Sequence, residues 1–270
     1  DWAYSTNRAC HVFLECRGIA DDTTTVLDAR NIVVGSSVLQ ATKVTLVAGQ
    51  DYDYAESRAT TLLKKHAGVG KALGVASVCE IGQSMAEVAS FNLSNATLLT
   101  WVNAGLSNHK TNKELEPYLQ SLDDKGYMFA ISYAGTSGLY WNNDHVCAPV
   151  VIDDNGRINE HMIYFGAAMD EAARRLVIHF TELLKKRVQA DTSTGKLLPA
   201  VVKNIEYDAD EKVFGKMVSK NMASGGKTHV DQDSDLINPP KSLVVSFDLV
   251  PILIMDNFDG TIFLTKSITV

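Results

Sequence analysis

The sequence predicts an α/β (α+β) fold, a mixed sheet flanked by helices, and three observations carry that prediction. Segments rich in β-branched and aromatic residues alternate along the chain with segments of helical spacing. One helical pattern, near 159–190, is much longer than the others. Toward the end, 242–250 and 261–270 both alternate apolar with polar residues, around the turn Asp256-Asn257-Phe258-Asp259-Gly260.

The elements follow in order. Ala9 to Leu14 has strand character, and Thr42-Lys43-Val44-Thr45-Leu46-Val47-Ala48 has it more strongly. Tyr54 to His66 places Ala55, Ala59, Leu62 and Leu63 on one helical face. Ala67 to Ser77 is small and glycine-rich. A strand over 77–82, a helical turn over 84–89 and an extended segment over 91–103 lead to a polar helix at 112–122. Gly126 opens a buried strand, Tyr127-Met128-Phe129-Ala130-Ile131-Ser132-Tyr133. Asp153-Asp154-Asn155-Gly156 is a tight turn, because Asn and Gly tolerate positive φ. The long helix follows, with Ile163, Ala167, Asp170, Ala173, Leu176, Val177, Phe180, Leu183, Leu184, Arg187 and Val188 near helical spacing and mostly apolar. Arg174-Arg175 and Lys185-Lys186-Arg187 interrupt that face, and Asp191 and Gly195 end the helix. Beyond it the pattern gives an extended Lys196–Glu206, a turn at 208–210, a helix at 211–223, a strand at 227–230 and an acidic, proline-bearing loop at 231–240. The 242–250 and 261–270 strands are expected in one sheet with the Gly126 strand. The domain expectation is an N-terminal α/β part, 1–154, and a C-terminal part, 155–270, or one continuous domain.

Composition narrows the function classes. The 270 residues are 46% hydrophobic and 21% charged, with a formal net charge of −7. A mildly acidic chain is a poor match for phosphate backbones or anionic membranes, so no nucleic-acid partner and no membrane insertion are expected. No apolar run reaches the roughly 20 residues a membrane helix needs, and no signal peptide is visible. The four cysteines form no Cys-x-x-Cys pair and suit reduced thiols in a reducing cytoplasm.

The candidate chemistry is sparse. Gly68-Val69-Gly70-Lys71-Ala72 suggests a phosphate loop, but Lys65 stands where the first glycine belongs and Ala72 where the magnesium-binding hydroxyl belongs. Close packing of Gly68, Gly70 and Gly74 against a neighbour is the preferred account. Gly135-Thr136-Ser137-Gly138 lacks nucleophile-elbow spacing. The seven histidines are scattered, and Asp231, Asp233 and Asp235 lack the glycine and distal glutamate of a calcium loop. Tyr127, Tyr133, Tyr140 and Trp141 are assigned to packing rather than to a ligand platform. No catalytic, cofactor-binding or metal-binding residue is assigned, and no cofactor is expected. Lys185-Lys186-Arg187 fits a solvated helix end favourable to the helix dipole, or one half of a charged subunit contact.

Several stretches together resemble one family. They are the long 159–191 pattern followed by Thr192-Ser193-Thr194-Gly195-Lys196-Leu197; Gly68 to Gly74 with Ile81-Gly82 and Phe91-Asn92-Leu93-Ser94; Lys125-Gly126-Tyr127; Tyr133-Ala134-Gly135 through Gly138-Leu139-Tyr140; and the end, where an alternating strand reaches Val250-Pro251. In these the chain, from about Val44 onward, resembles the sheath proteins of contractile phage tails and related injection machines, in a Mu-like or Bacteroidetes-prophage subgroup. A recognisable amino-terminal arm before Asp1 is the missing feature.

The resemblance implies a structural, non-enzymatic subunit that stacks in rings around a tail tube, contacts baseplate proteins, and contracts to drive the tube through an envelope. It would be assembled in the bacterial cytoplasm and would end in a virion tail or injection-machine sheath. The candidate interface residues are Lys266, Ser267, Ile268, Thr269 and Val270, as a strand completing a neighbour's sheet, with Lys185, Lys186 and Arg187. The alternatives are a tail-tube or baseplate protein, and a nucleotide-dependent enzyme using the 68–74 loop.

Overall fold

The computed structural model describes residues 10–58, 61–94, 101–238 and 241–255. The class is the expected one, but the strands form several small sheets instead of one mixed sheet. The N-terminal part begins with β1 (Val12–Glu15), a short hairpin of β2 (Val33–Val34) and β3 (Ser37–Val38), and β4 (Val44–Val47), the β-branched run. β1 and β4 pair in parallel, Val12 opposite Val44 and Glu15 opposite Val47. β5 (Gly49–Asp51) follows at once. Tyr54–His66, expected as one helix, gives two short ones, α1 (Tyr52–Glu56) and α2 (Thr61–Lys64). The glycine-rich stretch contains α3 (Val69–Ala76), because Ala72 and Val75 bury one face.

Neither the strand expected at 77–82 nor the helical turn at 84–89 forms; both are turns and loop. The segment expected extended at 91–103 forms no strand over its described residues; 95–100 lie outside them. Next come β6 (Ala104–Leu106) and β7 (Lys110–Thr111), which join β5 in an antiparallel sheet. α4 (Asn112–Asp124) starts with a reciprocal cap: the Thr111 hydroxyl accepts from the Glu114 N–H, and the Glu114 carboxylate accepts from the Thr111 N–H.

The expected strand from Tyr127 to Tyr133 splits into β8 (Tyr127–Met128) and β9 (Ala130–Ile131). The break at Phe129 has a local cause. Asn142 mimics a peptide group there: its Oδ1 accepts from the Phe129 N–H at 2.8 Å, and its own N–H donates to the Phe129 carbonyl at 2.9 Å. β8 therefore extends the parallel sheet on β4, while β9 turns to pair with β10 (Tyr140–Trp141). Alternation along these strands sends Val47, Met128 and Ala130 to a core with Trp101 and Trp141, and Tyr127 and Phe129 to a second core with Leu106, Leu115 and Leu122. Tyr127, Tyr140 and Trp141 are buried as packing residues; Tyr133 is more exposed and leans on Tyr140 at 5.9 Å.

The Asp153–Gly156 turn forms, with Gly156 at φ +77 and the Asp153 carboxylate accepting from the N–H groups of Asn155 and Arg157. The long helix is α5 (Ile163–Leu183), shorter than expected at both ends. Asn159 is occupied in bracing Pro149 and Val151, and Met162 bridges to His145 in extended form. At the other end Leu184 leaves the helix and Lys185 takes φ +65. The buried stripe also differs: Tyr164, Ala168, Ala172, Leu176 and His179 face inward, while Val177 and Leu184 face solvent. Lys43, beside β4, bonds Asp170 at 2.7 Å and Glu160 at 3.0 Å and so ties the first sheet to α5.

Lys196–Glu206 was expected to be extended, but it leads into α6 (Pro199–Ala209). Pro199 occupies the first turn, where its missing N–H costs nothing, and Val202, Glu206 and Ala209 fall on one buried face. The turn expected at 208–210 is absent. The helix runs on through a π turn, Asp210–Gly215, into α7 (Lys216–Ser219). β11 (Gly225–Val230) and β12 (Val245–Val250) close the described chain as an antiparallel pair. β12 thus joins β11 and not the Gly126 strand. The 261–270 strand and its turn lie outside the described residues.

Candidate assembly surface

The β11–β12 ribbon is built against α6 and the π turn. Thr228, Val230, Phe247 and Leu249 face inward, where Phe214, Met217, Leu176 and Val202 supply the core. Gly226 is required by this approach, since a Cβ there would collide with the buried Phe214 ring.

The outer edge of β11 is closed by two carboxylates four residues apart on one helix. Glu206 accepts from the Val230 N–H at 3.1 Å, and Asp210 accepts from the Thr228 N–H at 2.7 Å. Lys203 beside Glu206 holds that carboxyl below its ordinary range, helped by the Val230 N–H. Burial alone would raise Asp210; Lys227 and the Thr228 N–H outweigh it and leave the group lowered.

These bonds set the direction of the whole ribbon. Because Thr228 and Val230 donate away from β12, they form the non-bonded pairs with Phe247 and Val245. The backbone groups of Val245 and Phe247 therefore point to the far side of β12. Among the described residues no strand pairs with that edge. Beside it, α5 and β12 enclose an apolar groove of about 670 Å³, lined by Leu176, Val177, Phe180, Leu183, Leu243 and Phe247. Lys185 and Lys241 also line it, both exposed and both at positive φ. After Val250 the chain runs beside α4, where Ile252, Leu253, Ile254 and Met255 all line a cleft of about 840 Å³; Ile252 and Ile254 are half-buried there, and Leu253 and Met255 are largely exposed.

Of the residues singled out by sequence, Lys185, Lys186 and Arg187 lie exposed just past the end of α5, and Lys185 reaches the groove. Lys266, Ser267, Ile268, Thr269 and Val270 lie outside the described residues. Glu206 and Asp210 are not among those singled out by sequence; their signal is an acid pair at helical spacing, which an extended 196–206 conceals. The glycine-rich stretch is only partly a packing device. Gly68 abuts Trp101 at the start of α3, whereas Gly70 and Gly74 face open space. Asp231 and Asp235 turn their carboxylates onto following backbone N–H groups, and Asp233 pairs with Lys196. No group of three metal-ligating side chains occurs among the described residues, and no helix among them is long and apolar enough to cross a membrane. Burial pushes the Cys16 and Cys79 thiols up to about 12 and Cys147 to about 11, away from reactive thiolates.

The comparison with known families bears on the N-terminal half. The N-terminal domain of the DUF2586 family matches residues 1–145, and the chain belongs to that family. No curated protein matches the sequence.

Proposed function

We propose that this chain is a non-enzymatic structural subunit of a contractile tail sheath, polymerising helically around a tail tube and engaging baseplate proteins at one end. The observation that carries the reading is the asymmetry of the β11–β12 ribbon. One edge is sealed by Glu206 and Asp210, and the other, along β12, is left unpaired by any strand among the described residues. A solitary protein that seals one edge so thoroughly gains little by leaving the other open, because open edges template association. Strand addition there would hold neighbours through main-chain bonds while their helical faces shift between two packings. The segment resemblance from Val44 onward points the same way. A virion or injection-machine location follows from this reading.

Electron microscopy of the purified protein, alone and co-expressed with a tail-tube protein, tests the proposal. Striated cylinders or stacked rings are expected. A uniform monomer under both conditions would sink the sheath reading.

A further inference from the structure

We infer that the groove between α5 and β12 receives the Leu253–Asp259 segment of a second copy of this chain, in a head-to-tail contact. This rests on the assembly reading in one respect, that the partner is another copy.

The groove asks for a particular chemistry. Its walls are apolar, yet Lys185 and Lys241 stand on it, and among the described residues neither is engaged in an ion pair. Both have a left-handed backbone, a conformation unfavourable for residues other than glycine and held only where surrounding structure enforces it. An occupant that satisfies the site presents large apolar side chains followed closely by carboxylates. The chain contains such a segment: Leu253-Ile254-Met255-Asp256-Asn257-Phe258-Asp259. Leu253 and Met255, at 81% and 80% exposed, are the most exposed large hydrophobic side chains among the described residues.

Groove and segment sit at opposite ends of β12. Lys241 and Leu243 precede its first residue, Val245, and Leu253 follows its last, Val250. Six residues of strand separate them by about 17 Å, and of the run 252–255 along the molecule's own cleft Ile252 and Ile254 are half-buried while Leu253 and Met255 stay largely exposed. A copy therefore exposes Leu253 and Met255 at one end while its groove opens at the other. Two unlike surfaces that meet without a twofold axis generate a ring where the rotation closes and an open series of subunits where it does not.

Two double variants separate this arrangement from others. Lys185→Glu with Lys241→Glu disables the groove and keeps the segment; Leu253→Asp with Met255→Asp does the reverse. All four positions are exposed, and a thermal melt checks that each variant folds. Sedimentation velocity should show concentration-dependent chains for the parent and self-association weakened more than tenfold in each variant. An equimolar mixture of the two variants should recover dimers and nothing larger, because one live groove meets one live segment. Association of either variant at parental strength, a monomeric mixture, or a parent monomeric to about 1 mM would overturn the inference. In the double variant Leu243→Cys with Leu253→Cys, oxidation should give an interchain ladder; an intrachain disulfide would assign the groove to the chain's own segment and overturn the inference. These readouts need no tube. Head-to-tail dimers without cylinders would refute the sheath alone, and normal cylinders from the groove variant would refute this contact alone.

Discussion

His11 illustrates how a single proton is placed. The Thr45 hydroxyl donates to the His145 carbonyl at 2.7 Å, so its oxygen accepts from His11, which must carry its proton on Nε2. Burial, and then Lys43, lowers this imidazole to about 4. The unfolded chain binds a proton near pH 6.5, and the folded chain resists until about pH 4. Stability is therefore fully present above pH 6.5 and falls as the pH drops from 6.5 to 4. With allowance for partial exposure, the loss amounts to about 1–3 kcal/mol. Urea unfolding of the parent and of His11→Gln at pH 7 and pH 4.5 should show the smaller drop in the variant; equal drops would show that His11 is not the group responsible. Nothing in the alternation of Ala9 to Leu14 reveals that role, because it depends on Thr45 and His145, residues 34 and 134 positions away in the chain.

At the scale of elements, the sharpest divergence from the sequence pattern lies at 196–223. The sequence pattern gives an extended Lys196–Glu206 and a turn at Asp208-Ala209-Asp210. Both signals yield to tertiary packing: Pro199 starts a helix, the buried face takes Val202, Glu206 and Ala209, and the π turn carries the chain past Asp210 without a break. By contrast, strands that keep one face buried, such as 44–47 and 245–250, were legible, since period-2 alternation survives any choice of neighbour. Their partners were not, because alternation is silent about which strand lies alongside. The Glu206 bond to β11 gives a direct test. Glu206→Ala should strand a buried Val230 N–H and destabilise the protein by about 1–3 kcal/mol, whereas Glu206→Gln keeps an acceptor and should recover most of that. Chemical denaturation of the pair decides; equal stabilities would remove the edge-sealing role.

Across the whole molecule, Lys43 is one joint between the N-terminal sheets and α5, beside the bond from the Ile163 N–H to the Asp144 carbonyl. Burial alone would lower this ammonium; Asp170 and Glu160 outweigh that and raise it. Lys43→Ala leaves two partly buried carboxylates facing each other, so a loss of about 1–3 kcal/mol is expected, and proteolysis near 149–162 should accelerate. Unchanged cleavage there would mean that the halves hold together without it. The candidate surface was half legible. The cationic run 185–187 was visible as sequence, but its neighbour Lys241 and the apolar walls between them come together only when α5 ends early and β12 turns back beside it.

The parallel sheet of β1, β4 and β8 carries a consequence for synthesis. β1 meets β4 after about thirty residues, but β4 waits some eighty more for Tyr127 and Met128. Until then, on the ribosome, one edge of the growing sheet and the residues that will fill both cores stay open. The later half is of another kind, since α6, the π turn, β11 and β12 meet within a few tens of residues. Contacts near in sequence form fast and distant ones slowly, so the β11–β12 ribbon can form soon after its own residues are made, without waiting for a distant strand. Under the proposed assembly role, that ribbon would be competent to associate as soon as it forms, and premature polymerisation is the hazard such an order of events would create.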